Sequence, residues 1–260
     1  MIEVAKNWWN RPCGGRAVLA IAFPLIVSTA SWTVMNFIDR MYLLWHSPQA
    51  MAAAMPAGML HFSILCFPLG IASYVNTFVA QYEGAGRPDR IGLAIGQALR
   101  VGLVATPILL ATIPLAPFIF AWAGHAAEVQ RLEVVYYQVL AVGAGATVIA
   151  DALAAFFTGR GESRVVMRVM CSAMLLNVVL DYLWIFGKWG FPEMGIAGAA
   201  WATVVAQWYR VVLYGLLMAR PVYRERYGLA AWRRYDADLM RRLLKFGGPN
   251  GLQFLLEVSA

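Results

Sequence analysis

Within long apolar runs the chain places Asp39, Asp151, Asn177, Asp181 and Glu257, with Arg100 and Arg210 as cations. An ionised side chain near the centre of a bilayer costs at least about 2.5–3.5 kcal/mol, so it persists where it has a partner or a task. Two carboxylates that share a low-dielectric pocket oppose each other's ionisation. Such a pocket draws in a proton or Na+, and its bound and empty forms favour different helix packings. Asn177 precedes Asp181 by one helical turn and shares its face. This set suits ion coupling rather than bond-making. No phosphate-binding Walker loop, G-x-S-x-G elbow or H-E-x-x-H helix is present to suggest an enzyme. Tyr82 to Arg90, YEGAGRPDR, has glycines and basic residues but lies in a short loop between spans. The structural alternatives are an interfacial Asp39 beside Arg40, Asn177 and Asp181 as interhelical glue, and Arg100 and Arg210 snorkelling to the interface.

The elements that must position these groups are membrane spans. A spanning helix needs about 20 mostly apolar residues at roughly 1.5 Å each. That rule gives runs near 17–45, 52–80, 92–122, 134–158, 165–186 and 195–219, with a seventh from Leu239 that is still running at Ala260. None alternates in the manner of a membrane β-barrel. The expectation is an all-α, polytopic bundle of six spans plus the start of a seventh. Pro24 removes the backbone bond to Ala20, so the first span should bend there.

Lysine and arginine set the orientation. They gather before the first span (Lys6, Arg11, Arg16) and after the second (Arg87, Arg90), the fourth (Arg160, Arg164, Arg168) and the sixth (eight, from Arg220 to Lys245). The alternate connections hold only Arg131 and Lys188. This bias predicts a cytoplasmic N-terminus. On it, Asp39 lies roughly 33 Å along the first span and Asp181 roughly 24 Å along the fifth, both in the outer half. Asp151 sits near the middle or in the inner half. Packing of the first, fourth and fifth spans would bring these groups into one pocket.

Composition agrees with a lipid setting. Hydrophobic residues make up 61% and charged residues 13%, the latter about half the soluble norm, and the mean hydropathy is +0.62. The net charge of +7 fits the cytoplasmic face of a membrane, since the basic residues lie in short loops; a nucleic-acid surface is not expected. Cys13, Cys66 and Cys171 form no disulfide or metal pattern, and His46, His61 and His125 are scattered. Trp8, Trp9, Trp45, Trp184 and Trp189 fall near span ends, as an interfacial belt requires.

The one long polar stretch, 220–238, reads as a linker. Residues 1–219 then form a six-helix lobe and 239–260 the first helix of a second. RAVLAIAFP from Arg16 and RRLLKFGGP from Arg241 share a basic residue, an apolar run and a proline eight residues on, as repeated transporter halves do.

Five stretches resemble the multidrug and toxic compound extrusion (MATE) transporters: VNTFVAQYEGAGR (75–87), FFTGRGESR (156–164), NVVLDYLWIFG (177–187), MGIAGAAWATVVAQ (194–207) and GLQFLLEVSA (251–260). The resemblance implies a twelve-span exporter of cationic or amphipathic drugs in the bacterial inner membrane. It implies antiport of H+ or Na+ and no other cofactor. Its partners would be membrane lipids and a second lobe. By the same resemblance the ion site falls on Asp39, Asn177, Asp181 and Thr203, with Pro24 as the bending proline. Asp151 stands where relatives often carry Asn, and Glu257 matches an acid of the seventh span. The chain departs from the pattern at Arg40, whose guanidinium favours the charged Asp39, and at WHSPQA (45–50). The competing functions are a lipid-linked oligosaccharide flippase, which needs several lobe cations for a pyrophosphate, and a non-transporting membrane scaffold or fragment. An intramembrane enzyme using Asp39 or Asp181 as acid or base has no motif in its favour.

Overall fold

The computed structural model describes Trp9, Arg11 and residues 14–259. Lys6, Trp8, Cys13 and Ala260 lie outside the described residues. The described chain is helical and contains no strand. Its α-helices are α1 (Gly15–His46), α2 (Pro48–Ser73), α3 (Val75–Gly84), α4 (Ile91–Leu110), α5 (Ala116–Ala123), α6 (Ala127–Thr158), α7 (Ser163–Ile185), α8 (Ile196–Met218), α9 (Pro221–Arg226) and α10 (Ala237–Ser259). Among the described residues six stretches are long and apolar enough to cross a membrane, and these are α1, α2 with α3, α4 with α5, α6, α7 and α8. The seventh run is a helix too, but Asp238, Arg241, Arg242, Lys245 and Glu257 make it more polar than the other six.

Two spans are interrupted for local reasons. In the second, the Gly70 carbonyl accepts from Ser73 Oγ (3.1 Å) and Asn250 Nδ2 (2.8 Å). The helix breaks at Tyr74, whose amide would otherwise bond that carbonyl. In the third, Pro114 cannot donate to Leu110, and Thr112 Oγ1 caps Leu109 at 2.5 Å. The first span, by contrast, stays helical through Pro24.

α6 is the axis of the bundle. Its apolar window is 67% buried, against 22% for α1, and it packs on α2, α4 and α8. Glycines permit the close approach: a Cβ at Gly143 would sit 2.6 Å from Val204 Cγ2, and one at Gly145 would collide with Thr106. α1 lies along α7, and α7 along α8.

The 220–238 stretch is more than a tether. It folds as α9 and a short 3-10 turn, Leu229–Arg233, against the ends of α3, α4 and α6. The Gly92 amide donates to the Tyr227 carbonyl (3.0 Å), Gln97 to that of Arg234 (3.0 Å), and Arg90 pairs with Asp236 (3.2 Å). Arg100 donates to the carbonyls of Gly96, Trp232 and Arg233. It does not snorkel free, because the turn presents carbonyls that a guanidinium satisfies.

Candidate functional site

Asp39 on α1 and Asn177 and Asp181 on α7 are all buried, the last two completely. The two helices run along each other, and the i, i+4 spacing of Asn177 and Asp181 turns both inward. The Tyr136 hydroxyl of α6 donates to Asp39 Oδ2 at 3.4 Å. Asp39 Oδ1, both amide atoms of Asn177 and both carboxylate oxygens of Asp181 have no hydrogen-bond partner within the protein. Buried polar atoms are rarely left so. Asp181 lies within electrostatic reach of both Asp39 and Tyr136.

A cavity of about 220 Å³ opens beside this cluster, lined by Asp39, Arg40, Tyr136, Asn177, Thr203 and Gln207 among others. Four groups marked out in the sequence therefore converge: Asp39, Asn177 and Thr203 on the cavity and Asp181 next to Asp39. Arg40 reaches the cavity wall from an exposed position. Tyr136 and Gln207 were not singled out in the sequence. A tyrosine within an apolar span carries the same signal as a packing residue, and only its OH partner tells them apart.

Asp151 and Glu257 do not join the cluster. Asp151 lines a separate chamber of about 800 Å³ and is ion-paired with Arg210. Arg210 is itself 8% exposed and donates to Gln207 Oε1 at 2.6 Å. It does not snorkel to the interface, because a carboxylate and an amide meet it inside the bundle. Trp32, Phe62 and Gln207 line both cavities and form their partition. Glu257 is exposed on α10 and accepts from Gln253 Nε2 at 2.8 Å. Pro24 is buried in α1, and its carbonyl accepts from Ser28 Oγ at 2.8 Å.

Two of the three histidines have carboxylate partners. His46 pairs with Glu193 at 2.9 Å and His125 with buried Glu133 at 2.6 Å, and both contacts pin loops. Cys66 is buried and free, and Cys171 Sγ lies 3.4 Å from Ser31 Oγ. Among the described residues no group of three or more His, Cys, Asp or Glu could hold a metal.

The sequence model of the MatE family matches residues 24–183, more than half of the chain and the stretch that supplies Asp39, Tyr136, Asn177 and Asp181. The chain belongs to the MatE family. Relatives of this MatE chain include the probable multidrug resistance protein NorM of Neisseria meningitidis serogroup A, 26% identical over 248 residues, which cover 94% of this chain and 54% of that protein. The protein of the same description from Synechocystis is 29% identical over 251 residues, covering 93% and 53%. The chain thus spans about half the length of the curated relatives it matches. Among solved structures, an outward-facing multidrug resistance MATE family transporter of the MOP superfamily superposes with a TM-score of 0.82 at 21% identity, over 92% of this chain and 52% of that one. A MOP superfamily transporter from Pyrococcus furiosus gives 0.80 at 22% identity, over the same shares. These likenesses show that the chain shares the fold of the matched part of those transporters, and six apolar spans make this an integral membrane protein.

Proposed function

We propose that this chain is the ion-coupled lobe of a secondary active exporter of cationic or amphipathic drugs. It takes H+ or Na+ at Asp39, Asn177 and Asp181, with Thr203 on the cavity wall. One observation carries the reading: five buried side-chain atoms of Asp39, Asn177 and Asp181, on the adjoining helices α1 and α7, are without partners, and Asp39 lies within electrostatic reach of Asp181. A small cation satisfies the oxygens, and its departure leaves two carboxylates that repel each other. The helices carrying them then favour a different packing. Pro24, in the same α1, supplies a place where that helix bends.

The larger chamber suits an amphipathic passenger. Trp32, Phe62, Tyr74 and Phe254 give it aromatic faces, which attract organic cations. The flippase alternative needs free cations for a pyrophosphate, and Arg210 is engaged by Asp151. The N-terminus is cytoplasmic on the arginine bias, residues 220–238 link this lobe to a second, and alternating access comes from one lobe rocking against the other. Chemistry on a substrate bond has no place in this scheme.

The test is ethidium export from cells carrying the full-length protein under an imposed H+ or Na+ gradient. Asp181→Asn abolishes gradient-driven export while the protein reaches the membrane in normal amount. Undiminished export by that variant overturns the coupling role.

A further inference from the structure

We infer that the furrow between α4 and α8 at the basic end of the lobe is a binding site for one anionic phospholipid. α4 and α8 do not pack on each other appreciably; α6 lies between them. The gap that results is a groove of about 610 Å³. Its walls are the apolar ends of three membrane spans, with Ile95, Leu99, Leu153 and Met218 as the main surfaces. Gly215 leaves one wall open: a Cβ there would meet nothing within 4 Å. Beside it Val212 and Leu216 are exposed, so the groove is continuous with the lipid-facing surface of α8.

The mouth of the groove has the opposite chemistry. The linker roofs it and places Arg224 and Arg233 on its lining. Both are exposed, and among the described residues neither has a carboxylate partner within ion-pair distance. No acidic side chain lines the groove. Arg226 of the linker is used otherwise: it faces Glu83 at 3.7 Å. Trp232, 42% exposed, stands at the same mouth, a position aromatic rings favour at a membrane surface. An apolar slot that opens to lipid and ends in two guanidiniums with no carboxylate beside them, that of Arg233 lying 5.2 Å from the Trp232 ring centre, matches an acyl chain joined to a phosphate. Basic pockets between spans on the cytoplasmic side hold anionic headgroups in this way, and the charge bias puts this end in that leaflet. The linker would then be fastened by a lipid as well as by its own hydrogen bonds. This inference does not depend on the ion-coupling reading.

The experiment is native mass spectrometry of the protein purified in mild detergent, stripped of lipid and then offered phosphatidylglycerol or phosphatidylcholine with identical acyl chains. The expected result is one phosphatidylglycerol retained in preference to phosphatidylcholine. Arg224→Gln and Arg233→Gln, both exposed changes that leave the fold intact, each reduce that preference about fivefold. Gly215→Phe fills the groove and lowers retention of both lipids. Equal retention of the two lipids by the unaltered protein overturns the proposal. So does an unchanged preference in the double arginine variant, or displacement of the lipid by inorganic phosphate alone, which would mean that the arginines hold a free anion.

Discussion

Arg210 on α8 and Asp151 on α6 form an ion pair in the interior of the lobe, with Gln207 as a second acceptor for the guanidinium. The pair removes net charge from the wall of the larger chamber. It also separates Asp151 from the Asp39 cluster in function, because its carboxylate already has a cation. Gln207, which lines both cavities, ties the two sites together.

Removing one partner of this pair strands the other. Because Asp151 is one-third exposed to the chamber, Arg210→Ala should lower stability by about 1–2 kcal/mol, read as an earlier unfolding transition in detergent. The double change Arg210→Met with Asp151→Leu should recover most of that loss, since apolar replacement of a buried pair is nearly neutral. An Arg210→Ala protein as stable as the parent would show that the pair contributes nothing.

Tyr136 is the one protein donor to Asp39 among the described residues. At 3.4 Å the bond is long, so its contribution belongs at the low end for a charged acceptor, about 1 kcal/mol. Under the ion coupling proposed above, Tyr136→Phe should change the driving-ion concentration for half-maximal export by the full-length protein roughly fivefold with little effect on protein level. A dose curve that overlays the unaltered one would remove Tyr136 from the site.

Arg160 sits in an aromatic cage. Its side chain is 1% exposed and pairs with Glu162 at 2.5 Å, and its guanidinium carbon lies 3.9 Å from the Phe156 ring centre, 4.2 Å from Tyr227 and 4.7 Å from Tyr223. Tyr223 closes the ring by donating to Glu162 at 2.9 Å. Desolvated cation–π contacts contribute about 2 kcal/mol, so Arg160→Ala should release α9. Trypsin should then cut after Arg224 and Arg226 at least tenfold faster. Arg160→Lys should restore only part of the protection, since a lysine cannot stack its charge as a flat guanidinium does. Equal digestion rates in all three proteins would refute the clamp.

α10 docks on α2 at bare backbone. A Cβ at Gly251 would lie 2.5 Å from the Phe67 carbonyl oxygen. Gly251→Val should therefore cost about 1–3 kcal/mol and lower the unfolding temperature. Gly248→Ala on the same helix meets nothing within 4 Å and should be neutral or slightly stabilising. Two indistinguishable melting curves would show that the α2–α10 contact is not tight in solution.

Much of the site was readable in one dimension because lipid is an unforgiving solvent. Asp39, Asn177 and Asp181 stand out where charge and amide groups are costly, and the four-residue spacing of the latter two already fixes a common face. Thr203 came from the family resemblance and does line the cavity. Tyr136 was invisible, since its ring suits any apolar span. Asp151 and Glu257 carried the same signal as Asp39 yet went elsewhere: one to an arginine 59 residues away, the other to an exposed contact with Gln253 one turn earlier. His46 and His125 likewise read as isolated, although Glu193 and Glu133 meet them in space.

The amino-acid order by itself determined that the chain crosses a membrane, where its six spans lie and which residues are too polar to sit in lipid unaided. Those facts follow from transfer energies and helix rise, which act residue by residue. Only the tertiary structure decided which polar groups neutralise one another and which stay unpartnered. α6 occupies the axis, so α1 and α7 bring Asp39 and Asp181 together while α8 delivers Arg210 to Asp151. Such pairings depend on which helix faces touch, and helix faces are matched by packing shape rather than by any local pattern.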